Sequence, residues 1–409
     1  VSDFKYELEV LSPLHVGSGD LITPLEYVVV DDKFYRVDMS AVFRDEEFNV
    51  EAFMEAVGRD EERLRFSDFS SPELGKRYER YALALSAATG KDLESRAGDV
   101  REFIKTKERP YVPGSSIKGA IRTAMLWNAL KEDPGKLRAL KNHLRRLMRQ
   151  DKVNKKKVGE YIEKLVFGKE PHCEVLRALQ VSDTEAASIG RLEVYEVRTL
   201  TTTPNGHRWK GFYTFVEALK PGSRLTLRLK LDDFLMRREV ASVLEIEDKL
   251  WMLEKIPQAC NMLAKYTIDG ELWFFRKYAR ELAGVLRFYE DLRSKVEALL
   301  SSSGDERSFL FHLAWGVGWH GMTVGSLLKD DAVFFLNLRK AFELGEIRLC
   351  GNCGGKIRGN YCRRCRKKLS PREVRKIYVP EFPKTRRIVF EGGKARYPLG
   401  WVELRVRDG

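Results

Sequence analysis

The stretch Pro113-Gly114-Ser115-Ser116-Ile117-Lys118-Gly119-Ala120-Ile121-Arg122-Thr123-Ala124-Met125 constrains this chain more tightly than any other. Proline and glycine end whatever precedes them, and Ser115 or Ser116 is a good N-cap for the helix that follows. Ile117, Ile121, Ala124 and Met125 recur at helical spacing and predict a narrow buried stripe. Lys118 and Arg122 stand four apart on another face. A first helical turn normally favours acids, because its free N–H groups carry partial positive charge. A lysine there suits an anion bound by N–H groups, hydroxyls and ammonium together. The alternative is a capped surface helix whose lysine points at water. Gly119 predicts close approach of another backbone.

The flanking segments set the fold class. Phe4, Tyr6, Leu8 and Val10 alternate with Lys5, Glu7 and Glu9, the pattern of a half-buried strand, and run into the turn-rich loop Ser12–Gly19. Tyr27–Val30 and Lys33–Val37 read as a hairpin through Asp31-Asp32. Residues 40–108 have a helical, acid-rich pattern, and a basic helical insertion runs from about 131 to 169. Strand patterns return at Leu179–Val181 and Leu192–Thr199. Phe212–Leu219 and Arg224–Leu231 read as a strand pair turned by Lys220-Pro221-Gly222-Ser223. In the second strand the leucines form a core face, and Arg224, Thr226, Arg228 and Lys230 a basic one. Residues 235–300 read as two or three helices with a break at Asp269-Gly270. Gly392-Gly393 is the turn before the closing strand around Val402–Val406. Without the regular alternation of a doubly wound sheet, the expected class is α+β with small antiparallel sheets.

At 409 residues and 43% hydrophobic content the chain can form two cores. No apolar run is long enough to span a bilayer and no signal-peptide pattern opens the sequence, so a cytoplasmic protein without membrane contact is expected. The net charge of +13 is concentrated. Residues 131–169 hold 13 Lys or Arg against 5 Asp or Glu, and residues 345–387 hold 14 against 3. Such zones point to nucleic acid. Lys155-Lys156-Lys157 fits a solvated loop equally well.

Cys350-x-x-Cys353 and Cys362-x-x-Cys365 are two paired-cysteine knuckles, and four thiolates so spaced close a tetrahedral shell around Zn2+. With no general base beside it, such a zinc is structural. Arg363, Arg364, Arg366, Lys367 and Lys368 make the knuckle basic. The segment Trp315–Gly325 carries glycine at 316, 318, 321 and 325, a density that admits a ligand or another backbone. Trp315 and Trp319 suit stacking on splayed RNA bases, or burial in the core. His15 is the histidine in the loop best built for function. As a lone base it could serve a metal-independent endoribonuclease, hold a phosphate or cap a strand.

The combination of Ser12-Pro-Leu-His-Val-Gly-Ser-Gly19 and Val112-Pro-Gly-Ser-Ser-Ile-Lys-Gly-Ala-Ile-Arg-Thr123 resembles the first-strand loop and first-helix motif of the RAMP superfamily of CRISPR proteins. The 315–325 loop, Lys384-Thr-Arg-Arg387 and Tyr397-Pro-Leu-Gly-Trp401 are similar to one branch of it, the fifth subunits of type III-A Csm effector complexes. The resemblance implies two ferredoxin-like (RRM-like) domains. These would be residues 1–200, with helical insertions at about 40–108 and 131–169, and residues 201–409, with a helical segment at about 235–300 and a zinc knuckle at 347–369. It further implies a non-catalytic subunit that caps the backbone filament toward the 3′ end of a single-stranded guide RNA (crRNA). Its partners would be the other Csm subunits and, for guide trimming, host nucleases. Ser115, Ser116, Lys118 and Arg122 would hold guide phosphates, with His15, Trp315, Gly316, Gly318, Trp319, Lys384, Arg386 and Arg387 as further RNA contacts. The cysteines lie outside the general pattern of that superfamily, so zinc rests on their spacing. A metal-independent endoribonuclease using His15, and a zinc-ribbon nucleic-acid-binding factor outside CRISPR, are the competing readings.

Overall fold

The alternation at the start of the chain is satisfied by burying one side of strand Asp3–Val10: Tyr6, Leu8 and Val10 enter the core. The computed structural model describes residues 3–59, 64–86, 93, 95–96, 98–150, 158–203, 206–301, 307–379 and 381–407; Lys155–Lys157 lie outside these. Among the described residues, strand Asp3–Val10 is the centre of a five-stranded sheet. Its spatial order is Phe309–His312, Trp401–Val406, Asp3–Val10, Arg224–Leu231, Leu179–Val181, with every pairing antiparallel. Leu8 stands opposite Leu225 and Leu404, and Tyr6 opposite Leu227 and Val406. Helices Gly114–Glu132 and Ile256–Tyr278 pack on each other and join this apolar face in one core. Along the chain these elements run strand, helix, strand, strand, helix, strand, strand. A boundary at residue 200 does not divide this sheet, because the first strand pairs with strands of the second half.

The motif helix keeps its predicted stripe, with Ile117, Ile121, Ala124 and Met125 all buried. Its start differs from expectation. Pro113 is the N-cap and no side chain caps it, so Ser115 and Ser116 fall inside the first turn, past the capping position. The Gly114 N–H instead donates to the Asp183 carboxylate at 2.8 Å. Gly114, not Gly119, is the point of close approach. A Cβ at 114 would lie 2.4 Å from the Val181 carbonyl oxygen, whereas Gly119 has open space around it.

The outer face of the sheet is charge-compensated in part, while Arg228 and Lys230 stay exposed on it. Arg224 lies 3.7 Å from both Glu7 and Glu9, and Arg405 bridges Glu9 at 2.8 Å and Glu403 at 2.6 Å. Lys295 also reaches Glu403, at 2.6 Å. The register that aligns the leucines brings these carboxylates beside the arginines.

A nine-stranded sheet is built from the segments between. Its main path is Gly17–Ile22, Val100–Phe103, Gly206–Leu219, Leu192–Thr203, Glu79–Leu85, Lys33–Val37, Tyr27–Val30, and Thr385–Glu391 pairs with Leu192–Thr203 and with Lys394–Pro398. The hairpins at Asp31-Asp32 and Gly392-Gly393 form as expected, each turn with both residues at positive φ. Three expectations are corrected. Residues 40–108 contribute strands Glu79–Leu85 and Val100–Phe103 as well as short helices. Lys220–Ser223 does not close a hairpin: the strand before it pairs with Leu192–Thr203 and the strand after it with Asp3–Val10, so this turn passes the chain between sheets. Asp269-Gly270 lies inside helix Ile256–Tyr278. A mid-helix glycine costs about 1 kcal/mol, which burial of Ile268, Leu272, Phe274 and Phe275 outweighs.

Glu217 joins the strands at the middle of the nine-stranded sheet. Fully buried, its carboxylate accepts from Tyr81 Oη at 2.8 Å, the Phe103 N–H at 2.8 Å and Lys105 Nζ at 2.5 Å. Removing one member of a buried pair leaves the other charge uncompensated, at a cost of about 3–5 kcal/mol. Glu217→Ala should therefore lose about that much stability in urea unfolding, and Glu217→Leu with Lys105→Met should recover most of it. A single variant within about 1 kcal/mol of the parent would contradict this role.

Candidate nucleic-acid interface and metal centre

Beyond strand Phe309–His312 the glycine- and tryptophan-rich segment turns at Ala314 (φ 63°) and Gly316 (φ 111°), then forms short helices at Gly318–Met322 and Val324–Leu328. Much of its glycine serves packing. A Cβ at Gly325 would lie 2.1 Å from the Trp319 ring, and one at Gly316 2.7 Å from Leu399 Cβ. Trp319 packs on Phe382 and Phe335, with ring centroids at 5.0 and 5.8 Å, so the core reading describes it. Trp315 is different. Half-buried, it has the Arg387 guanidinium 4.3 Å and that of Arg101 5.3 Å from its ring centroid.

These residues line one cleft of about 430 Å³. Strand Thr385–Glu391 supplies Arg386 and Arg387, Val100–Phe103 supplies Arg101, and Gly206–Leu219 supplies Lys210. Trp315, Gly316, Gly318, Trp319, Arg386 and Arg387 thus line one cleft. Their charges are not equivalent. Arg386 is neutralised by Glu271 at 2.5 Å and lies 3.8 Å from the Phe274 ring centroid. Arg387, Arg101 and Lys210 form no ion pair with any described carboxylate. Burial holds the Arg387 guanidinium below its ordinary range, and repulsion from Arg101 adds to this. Lys384, just before the strand, is lowered by burial and then by Lys356, Lys210, Arg339 and Arg208. Arg101 and Lys210 carry no sequence signal; only the sheet brings them to the cleft.

The motif helix meets a separate environment. Its far end packs near the cleft loop, where Trp127 Nε1 donates to Ser326 Oγ at 2.9 Å, but its first turn lies beside Leu179–Val181. Ser115 is exposed and Ser116 half-exposed. Lys118 donates to the Leu179 carbonyl at 2.7 Å, and burial lowers its pKa from the ordinary lysine value. Arg122 is ion-paired with Glu174, and with Glu163 at 3.2 Å. Both cations already have partners within the chain.

His15 is corrected as an RNA contact and as a base, because it is only 2% exposed. Its Nδ1–H donates to the Glu217 carbonyl at 2.7 Å, and its ring meets Trp315 edge-on at 5.7 Å. Burial lowers its pKa to about 4. Its carbonyl accepts the Trp315 N–H at 3.1 Å, so the residue fixes the cleft wall from behind.

The cysteines meet as their spacing predicts. All four sulfurs lie within 4.8 Å of one another, with Cys350–Cys365 at 3.7 Å and Cys353–Cys362 at 3.5 Å. A tetrahedron with Zn–S bonds of about 2.3 Å has S···S edges of about 3.8 Å, so the four donors fit zinc. A Cβ at Gly355 would lie 2.9 Å from Arg364 Cβ and 3.3 Å from Cys353 Sγ, so glycine is required beside the sulfurs. The buried centre of the knuckle is little more than Cys350, Cys362 and Leu369, too small a core to hold its short strands alone.

Residues 7–319 match the RAMP superfamily. A protein of Methanocaldococcus jannaschii named "CRISPR system Cms protein Csm5" is 23% identical over 415 residues, covering 98% of this chain and 88% of that protein. The Streptococcus thermophilus protein of the same name is 30% identical over 143 residues, 31% of this chain and 40% of that one. In fold, the chain is similar to one from the cryo-EM structure of a Csm–crRNA–target RNA ternary complex of a type III-A CRISPR-Cas system. The TM-score is 0.64 at 24% identity, covering 99% of this chain and all of that one. The crystal structure of T. onnurineus Csm5 gives a TM-score of 0.61 at 22% identity, covering 97% and 99%.

His312 shares the state of His15: burial lowers its pKa to about 4. An unfolded imidazole takes up its proton near pH 6.5, so between pH 6.5 and 4 the unfolded chain binds more protons than the folded one. Stability should be fully present above that window and fall as pH falls through it. Melting temperatures measured from pH 7 to 4.5 should drop by several degrees; a flat profile would show that these rings are not held neutral.

Proposed function

The chain belongs to the RAMP superfamily, and from that membership we propose that it is a non-catalytic RNA-binding subunit of a type III-A Csm effector complex. In this reading it is of the Csm5 kind and caps the guide filament toward the guide's 3′ end. It docks on the backbone Csm subunits and leaves guide trimming to a partner nuclease. The five-stranded sheet, whose strand-helix-strand-strand-helix order is followed by two further strands, supports a ferredoxin-like unit with one added strand.

The observation that carries the RNA-binding reading is the set of three cations with no carboxylate partner among the described residues, Arg101, Lys210 and Arg387, around Trp315. Cations gathered without a counterion leave a positive field in the cleft, which phosphate oxygens neutralise through charge-assisted hydrogen bonds. The endoribonuclease alternative loses its support with the burial of His15, since a base must reach the proton that it removes. Purified protein should bind single-stranded RNA more tightly than duplex DNA, with affinity falling steeply with salt. Arg387→Glu should weaken binding tenfold or more in fluorescence anisotropy. Unchanged binding by that variant, or preference for duplex DNA, would overturn the reading.

For the knuckle we propose one structural Zn2+ held by Cys350, Cys353, Cys362 and Cys365, supported by the sulfur geometry. The ion closes the loop and takes no part in chemistry. Elemental analysis should give one zinc per chain, lost in Cys353→Ser. Hydrogen exchange should then rise across residues 346–378 while helices Gly114–Glu132 and Ile256–Tyr278 stay protected. Metal-free protein with an ordered knuckle would refute the assignment.

A further inference from the structure

The Trp315 cleft does not stop at Arg101. Through Arg101, Phe212 and Thr214, which line both, it adjoins a second hollow of about 490 Å³ on the nine-stranded sheet, walled by Leu21, Arg96, Tyr213 and one carboxylate, Asp99. Phe212 is 53% exposed there and Leu21 46%. The Arg96 guanidinium lies 3.6 Å from the Tyr213 ring centroid, and Lys210 Nζ 5.4 Å from that of Phe212. Cations and rings thus alternate from Arg387 and Trp315, past Arg101, to Phe212 and Tyr213. That pattern suits a single-stranded nucleic acid, with bases on the rings and phosphates on the cations.

We propose that single-stranded RNA crosses the nine-stranded sheet, passing from the Trp315 cleft over Arg101 to Phe212 and Tyr213, with at least one nucleotide in each hollow. The proposal rests on the RNA-binding reading and adds the path. It assigns Phe212 as a stacking platform and Arg101 as the phosphate contact shared by the two hollows.

The test pairs variants with cross-linking on the full chain, using a uridine-rich RNA that carries 4-thiouridine. Phe212→Ala should lower affinity about fivefold or more without changing the salt slope, because it removes a stack and no charge. Arg101→Ala should lower both the affinity and the slope, the latter by about one. Cross-linked peptides should include both Trp315 and Phe212–Tyr213. Trp273→Ala, which removes a similarly exposed ring near Lys277 on helix Ile256–Tyr278, should leave binding unchanged. Phe212 and Arg101 are both exposed, so their variants should melt like the parent. If Arg387→Glu weakens binding while Phe212→Ala and Arg101→Ala do not, and cross-links stay at Trp315, the path is wrong and the RNA-binding reading stands. If all three variants bind like the parent, that reading falls as well. Intact RNA binding by Phe212→Ala with lost attachment to a protein subunit would make this face a protein interface and overturn the proposal.

Discussion

Glu217 is the carboxylate on which the rest of the arrangement turns. It is fully buried at the centre of the nine-stranded sheet, and Tyr81, the Phe103 backbone and Lys105 satisfy it. Its own carbonyl accepts from His15, and the His15 carbonyl accepts from Trp315. One short chain of hydrogen bonds therefore runs from the sheet interior through the loop after the first strand to the ring at the cleft. Buried polar networks are costly when incomplete and rigid when satisfied, so this one specifies a single position for Trp315. The proposed RNA contact depends on that rigidity, since a stacking ring loses less entropy on binding when it is already fixed.

Charge compensation sorts the many cations of this chain. Arg122, Arg224, Arg386 and Arg405 all meet carboxylates inside the molecule, and Lys118 meets a carbonyl. Arg101, Lys210 and Arg387 do not, and they share one cleft. A net charge of +13 states that a polyanion is attracted but not where it lands. The geometry of the unpaired cations supplies a place. It also separates the motif helix, where Asp183 already takes the first N–H, from the cleft.

The parts legible in the sequence were those with short-range causes. The buried stripe of the motif helix, the first strand, the Asp31-Asp32 and Gly392-Gly393 turns and the meeting of four sulfurs all follow from periodicity, turn chemistry or ligand spacing. Misreadings came where a distant segment outweighed a local signal. Ser115 looked like a cap until the 181–184 loop filled the turn ahead of it. Asp269-Gly270 looked like a break, but the burial of its neighbours holds the helix through it. Lys220–Ser223 looked like a hairpin, yet each flanking strand found a better partner in a different sheet.

Sequence by itself determined the mixed class of the fold, the turns of its two hairpins and the meeting of the four cysteines, because each depends on residues close together in the chain. Tertiary structure alone decided that Arg101 and Lys210 join Arg387 at Trp315, that His15 is a buried prop and not a base, and that Arg224 meets carboxylates. The physical reason is the same in each case. Burial and charge pairing are set by which strands lie side by side, and here those strands come from positions up to hundreds of residues apart, as with Glu9 and Arg405.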